Sequence, residues 1–163
     1  MALESMGLTF TLLGAAVAVF LAGIGSSIGL ATASKSAAAV LSEKPERYGS
    51  LMLLVVLPST QGIYGFVVGL FVMIKLNMFG GEVSAVTWSQ GAAIFMACLP
   101  VGVSGLFSAI LQGRTGAAAI LMTAKRPEMA FKAGVVYSAM VELYAILGFL
   151  ISLLIIMMGI NVG

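Results

Sequence analysis

The sequence predicts an all-α integral membrane protein, with four transmembrane helices arranged as two tandem hairpins in parallel duplication. Three observations lead there. Of 163 residues, 61% are hydrophobic and only 9% are charged. A soluble domain averages about 45–50% apolar and about 25% charged residues, so these few charges cannot cover this much apolar surface in water. Second, residues 5–34, 48–74 and 83–113 carry no charge, and 133–163 carries one, Glu142. Third, a Pro-containing polar loop recurs. Lys-Pro-Glu at 44–46 and Arg-Pro-Glu at 126–128 lie 82 residues apart, preceded by "AAAVL" at 37–41 and "AAAIL" at 117–121.

Each uncharged stretch exceeds the ~20 residues that a helix needs to cross a ~30 Å hydrocarbon core. Backbone in lipid must satisfy its own hydrogen bonds, which leaves helices or a closed barrel. The runs are continuous rather than alternating, so they are helices. Helix 1 (5–34) has Glu4 as the only charge before it, lacks a basic leader and is longer than a signal-peptide core of ~7–15 residues. It is expected to be a retained span. Helix 2 (48–74) carries Pro58, helix 3 (83–113) carries Cys98, and helix 4 (133–163) carries the lone acid.

Self-similarity at a fixed period marks duplicated architecture. Here the period is a whole hairpin, so residues 1–81 form the first hairpin and 82–163 the second, both crossing in the same sense. Lys35, Lys44, Arg47, Arg114, Lys125, Arg126 and Lys132 gather on the side of the two Pro loops, against Lys75 alone opposite. The positive-inside rule then puts loops 43–49 and 125–132 in the cytoplasm and both termini outside.

Helices 1 and 3 are thin, as "GAAVAVFLAGIGSSIG" and "GVSGLFSAILQGRTGAAA" show, whereas "YGFVVGLFVMI" and "LGFLISLLIIMM" make helices 2 and 4 bulky. Small residues allow close helix approach in membranes. A wedge with its thin helices inside closes into a ring of copies when repeated about an axis. Packing within a four-helix monomer is the other reading of the same composition.

Several classes are excluded. A net charge of +2 is too small for a nucleic-acid partner, and with no His and one Cys there is no His/Cys metal site or disulfide framework. "GIGSSIG" lacks the Lys-Ser/Thr of a phosphate loop and is read as helix packing. Tyr48 and Trp88, at helix ends, read as interfacial anchors.

The polar residues that remain share one depth. Gln61 lies sixteen residues after Pro45, Gln112 fifteen before Pro127 and Glu142 fifteen after it. At ~1.5 Å per residue, all three sit roughly 22–24 Å along their helices from the Pro loops. Gln61 also matches Glu142 across the duplication within one residue. Leu57, Gln61 and Tyr64 share a helix face, with Thr60 beside them, while Pro58 loosens the carbonyls of that turn. Tyr144 lies roughly on the other side of helix 4 from Glu142.

A carboxylate at mid-bilayer costs about 2.5–3.5 kcal/mol on insertion scales, and it becomes tolerable when protonated, paired or bound to a cation. No Lys or Arg shares its depth and face. Two amides and two hydroxyls around one carboxylate describe an oxygen cage for a hard monovalent cation, although either glutamine alone also reads as interhelical glue.

These residues carry a resemblance to a known family. "LPSTQGIYGF" at 57–66, "GLFSAILQGR" at 105–114 and "MVELYAILGFLISLL" at 140–154 resemble the proteolipid (K or c) subunits of V-type rotary ATPases over nearly the whole chain. The sodium-pumping subset is the most similar. That resemblance implies a homo-oligomeric rotor ring binding Na+ through the Leu57 carbonyl, Thr60, Gln61, Gln112 and Glu142, with Tyr64 hydrogen-bonding the carboxylate. Two positions depart from the pattern, Ser59 where Gly is common and Leu143 where Thr can stand, and neither removes a ligand oxygen.

The resemblance further implies copies of the chain as partners, a stator membrane subunit with an essential Arg, central-stalk subunits on the cytoplasmic side, and surrounding lipid. The chain itself is then an ion carrier without catalysis. Two rival readings stay open: the same ring carrying H+, and a small four-helix drug/proton antiporter. A purely structural pore has no need for one acid per duplicated pair.

Overall fold

The computed structural model describes residues 2–161, with side chains from Met6 onward. Among the described residues, four helical spans are each long and apolar enough to cross a membrane: Met6–Glu43, Pro45–Lys75, Trp88–Lys125 and Ala130–Gly159. The first and third are single α-helices, α1 (Ala2–Glu43) and α4 (Trp88–Lys125). At ~1.5 Å per residue, both exceed a ~30 Å hydrocarbon core and extend beyond it.

The other two spans are composite. The second runs from a 3-10 turn at Pro45–Arg47 through α2 (Tyr48–Val56), a second 3-10 turn at Leu57–Ser59, and α3 (Thr60–Lys75). Pro58 causes the interruption, because it has no N–H to give to the Leu54 carbonyl. The fourth span begins with π-helical turns over Ala130–Val135, continues as α5 (Val136–Leu154) and ends in π-helical turns at Ile155–Gly159.

The connections follow from local chemistry. A one-residue link at Lys44 joins the first two spans; Lys44 N–H donates to Val40 O at 2.9 Å, and Pro45 opens the next turn. The Lys44 ammonium donates to Ala124 O at 2.8 Å, closing the C-terminal end of α4. At the other side of the bundle, Thr87 and Gln90 form a reciprocal capping box at the start of α4.

The two thin helices pack against one another along their length. A Cβ added at Gly25 would lie 2.6 Å from Leu106 Cα, and one at Gly113 would lie 2.3 Å from Gly29 O. Only glycine permits these approaches. The bulky spans flank that pair, and the fourth carries Leu143, Leu147, Leu150, Leu154 and Met158 exposed.

Two apolar clusters fill the interior. One gathers Ala18, Val68, Val72, Ile94, Val101 and Ile156; the other gathers Ala33, Leu51, Leu54, Ala119 and Ile120. Between them, Gln61, Ser108, Gln112, Ser138 and Glu142 are buried. A polar layer therefore lies between two mainly apolar ones.

Candidate functional site

Three spans supply this layer. Glu142 comes from α5 and is only 9% exposed. Thr60, Gln61 and Tyr64 come from the first turns of α3, just past the Pro58 interruption. Gln112 and Ser108, one turn apart, come from α4. The 3-10 turn at Leu57–Ser59 starts α3 with Thr60 N–H bonded to Leu57 O, which leaves the Thr60 hydroxyl beside both that carbonyl and the acid.

Hydrogen bonds converge on the carboxylate. Glu142 Oε1 accepts from the Thr60 hydroxyl and from the Tyr64 hydroxyl, both at 2.6 Å. Oε2 accepts from Gln112 Nε2 at 3.2 Å. Thr60 Oγ1 also lies 3.0 Å from Leu57 O and 3.4 Å from Gln61 Oε1. A hydroxyl carries one proton, so the short contact to the carboxylate takes it. The Tyr64 ring stacks on Phe149 with centroids 5.3 Å apart, which holds its hydroxyl against the acid.

Behind this shell the amides form a directed chain. Gln61 Nε2 donates to Gln112 Oε1 at 2.6 Å and to Ser108 Oγ at 3.3 Å. Gln112 Nε2 spends its second proton on Ser138 O at 3.0 Å, and Ser108 donates to Val141 O at 3.0 Å. Charge-assisted hydrogen bonds contribute roughly 1.5–3 kcal/mol each, and the three that reach the Glu142 carboxylate offset much of the cost of burying an anion. Among the described residues the side-chain ion pairs are Arg47–Glu46 and Arg126–Glu128, both near loops, and neither involves Glu142. Arg114 is exposed.

The structure thus brings Leu57, Thr60, Gln61, Tyr64, Gln112 and Glu142 to one point. Tyr144 is 69% exposed, on the opposite side of α5 as its spacing predicts. Gln112 turns its nitrogen, rather than its oxygen, to Glu142, because a carboxylate recruits donors. In such a network amide orientation follows the partners; a cation at the same point would favour the reverse.

Sequence reasoning missed Ser108 and the carbonyls of Ser138 and Val141. A signal existed: Ser108 stands four residues before Gln112 and Ser138 four before Glu142, each on the face of its polar successor. The backbone acceptors had no signal at all, since every residue carries one.

Comparisons with known proteins bear on the family of the chain. The family model for the ATP synthase C subunit matches the chain twice, at residues 13–72 and 95–155. The K subunit of a V-type sodium ATPase from Enterococcus hirae is 44% identical over 154 residues, 94% of each chain. The K subunit of an A-type ATP synthase from Methanocaldococcus jannaschii is 36% identical over 143 residues, 88% of this chain and 60% of the relative. The 16 kDa proteolipid of a V-type proton ATPase from Nephrops norvegicus is 31% identical over 120 residues, 74% of this chain and 73% of the relative.

Proposed function

We propose, from the premise that the chain belongs to the ATP synthase C subunit family, that Glu142 binds and carries Na+ as a rotor ring turns in the membrane. Family membership makes the chain a multi-pass, non-catalytic proteolipid subunit of a V-type rotary ATPase, associated with copies of itself in the ring. The choice of Na+ rests on one observation above all. The Thr60 hydroxyl, the Gln61 and Gln112 amides and the Leu57 carbonyl lie around one buried carboxylate. The name of the Enterococcus hirae relative, a sodium ATPase subunit, supports the same choice.

The chemistry of that set fits an alkali cation. Neutral oxygens from Leu57, Thr60, Gln61 and Gln112, with one negative charge from Glu142, suit a hard monovalent ion and cancel its charge. Tyr64 fixes the carboxylate while the ion exchanges. With Na+ bound, the site is neutral and passes through lipid. With the ion gone, Thr60, Tyr64 and Gln112 hold the anion until a stator arginine takes their place as its partner. Exchange between ion and arginine during rotation lets Na+ enter on one side and leave on the other. Moving a charge against 100 mV costs about 2.3 kcal/mol, which a cytoplasmic ATPase head supplies through central-stalk subunits.

The same reading divides the chain into hairpins 1–81 and 82–163. The one-per-hairpin family matches support this division. It also sets loops 43–49 and 125–132 in the cytoplasm and the termini outside, an orientation that rests on the distribution of Lys and Arg.

The test is ATP-driven uptake of 22Na+ into vesicles reconstituted with the whole complex, in the presence of a protonophore. Uptake that persists or rises supports Na+ as the direct cargo. Uptake that collapses with the proton gradient assigns the same ring to H+.

A further inference from the structure

Among the described residues two buried hydroxyls, those of Ser104 and Ser138, lack a hydrogen-bond partner, and Ser138 is the one beside the acid. Thr11, Thr115 and Thr123 return their protons to the carbonyl four residues back, at 2.9, 3.1 and 2.8 Å. Ser108 crosses to Val141 O. The Ser138 side chain is fully buried, and its Oγ has no hydrogen-bond partner among the described residues. Burying a hydroxyl without a partner is unfavourable, so such a group calls for an explanation.

Its position offers one. Ser138 stands one turn before Glu142 on the same face of α5, and its own carbonyl accepts from Gln112 Nε2 at 3.0 Å. The Gln112 amide is therefore held between Ser138 and Glu142 Oε2. When a cation replaces the donors around Glu142, Gln112 must offer Oε1 instead of Nε2, and its bond with Gln61 reverses with it. Turned that way, the amide oxygen would meet the Ser138 carbonyl, and two acceptors would face each other. An amide oxygen has two lone pairs, so it can hold a cation and accept one proton together.

We propose that Ser138 is a positioning residue for the ion-loaded site, its side chain turning about its first torsion so that the hydroxyl donates to Gln112 Oε1 once that amide presents its oxygen to the cargo. This inference rests on the sodium reading above. It makes Ser138 favour the loaded state selectively, since in the donor-rich arrangement around the bare carboxylate the hydroxyl bonds to nothing.

Equilibrium 22Na+ binding to purified rings tests it, with wild type, Ser138→Ala, Gln112→Ala and the double variant. Loss of one such bond should weaken Na+ binding by roughly tenfold in Ser138→Ala. In the Gln112→Ala background, Ser138→Ala should add nothing, because the acceptor is gone. Unchanged Na+ affinity in Ser138→Ala overturns the proposal while leaving the sodium reading intact. So does a full extra loss in the double variant. A bystander hydroxyl would give that unchanged affinity together with an equal or higher thermal dissociation temperature of the ring. Should Ser138→Ala rings not assemble, Ser138→Cys keeps the volume with a much weaker donor, and the same two outcomes decide. Wild-type rings that bind no 22Na+ sink both readings together.

Discussion

The second and fourth spans occupy equivalent places in a duplicated hairpin, yet they contribute opposite chemistry to one point. The fourth span enters as a regular helix at that depth and supplies the acid, Glu142. The second is broken at Leu57–Ser59 and supplies only neutral groups: a backbone carbonyl, the Thr60 hydroxyl, the Gln61 amide and the Tyr64 hydroxyl. Duplication delivers matched depth, because each helix starts from its own copy of the Pro loop. Divergence then makes the depth useful. Two acids at one level would repel, whereas one acid with neutral partners leaves a single charge for the cargo to cancel. The Pro58 break matters in this contrast, since it brings the Leu57 carbonyl to the Thr60 hydroxyl at 3.0 Å.

Removing the one charged member should have the largest effect. Glu142→Gln is expected to abolish ATP-driven ion uptake in reconstituted complexes, with the ring still assembled on a native gel. Moving the acid sharpens the contrast further. Gln61→Glu combined with Glu142→Gln keeps the charge count, yet uptake should remain below roughly a tenth of wild type, because Thr60 and Tyr64 are aimed at α5. Substantial recovery would mean that the two spans are interchangeable.

Next comes Gln112→Ala, which removes the amide that touches the carboxylate. It should weaken Na+ binding roughly 10–100-fold, and Gln61→Ala somewhat less, because Gln61 reaches the acid through Thr60 and Gln112. In both, Na+ dependence should suffer more than proton binding, which competitive titration of carbodiimide labelling reads directly. The smallest effect is that of Tyr64→Phe. It keeps the stack on Phe149 and loses one bond to Oε1, for an expected loss of roughly threefold to tenfold in Na+ affinity.

Much of this arrangement was legible in the sequence, for identifiable reasons. Uncharged runs exposed the four spans because lipid tolerates little else. The distances of Gln61, Gln112 and Glu142 from their prolines gave a common depth because an α-helix has a fixed rise. Tyr144 was correctly set apart from Glu142 by spacing alone, and the thin pair of helices is in mutual contact, as the glycine-rich runs suggested.

Other features were not legible. The amide directions of Gln61 and Gln112 depend on which partners close the network, and a linear sequence carries no such information. The π-helical turns at Ala130–Val135 fall on the residues AFKAGV, none of which marks such a turn in sequence. Ser138 was overlooked despite its four-residue spacing from Glu142, because a helical serine is ordinarily bonded to its own helix.

The most direct measurement is Na+ titration of carbodiimide labelling at Glu142, at fixed pH, on the assembled complex. Protection that rises with Na+ and saturates, while an equal concentration of a large organic cation gives none, is the predicted result. Labelling indifferent to Na+ across the same range would contradict the account.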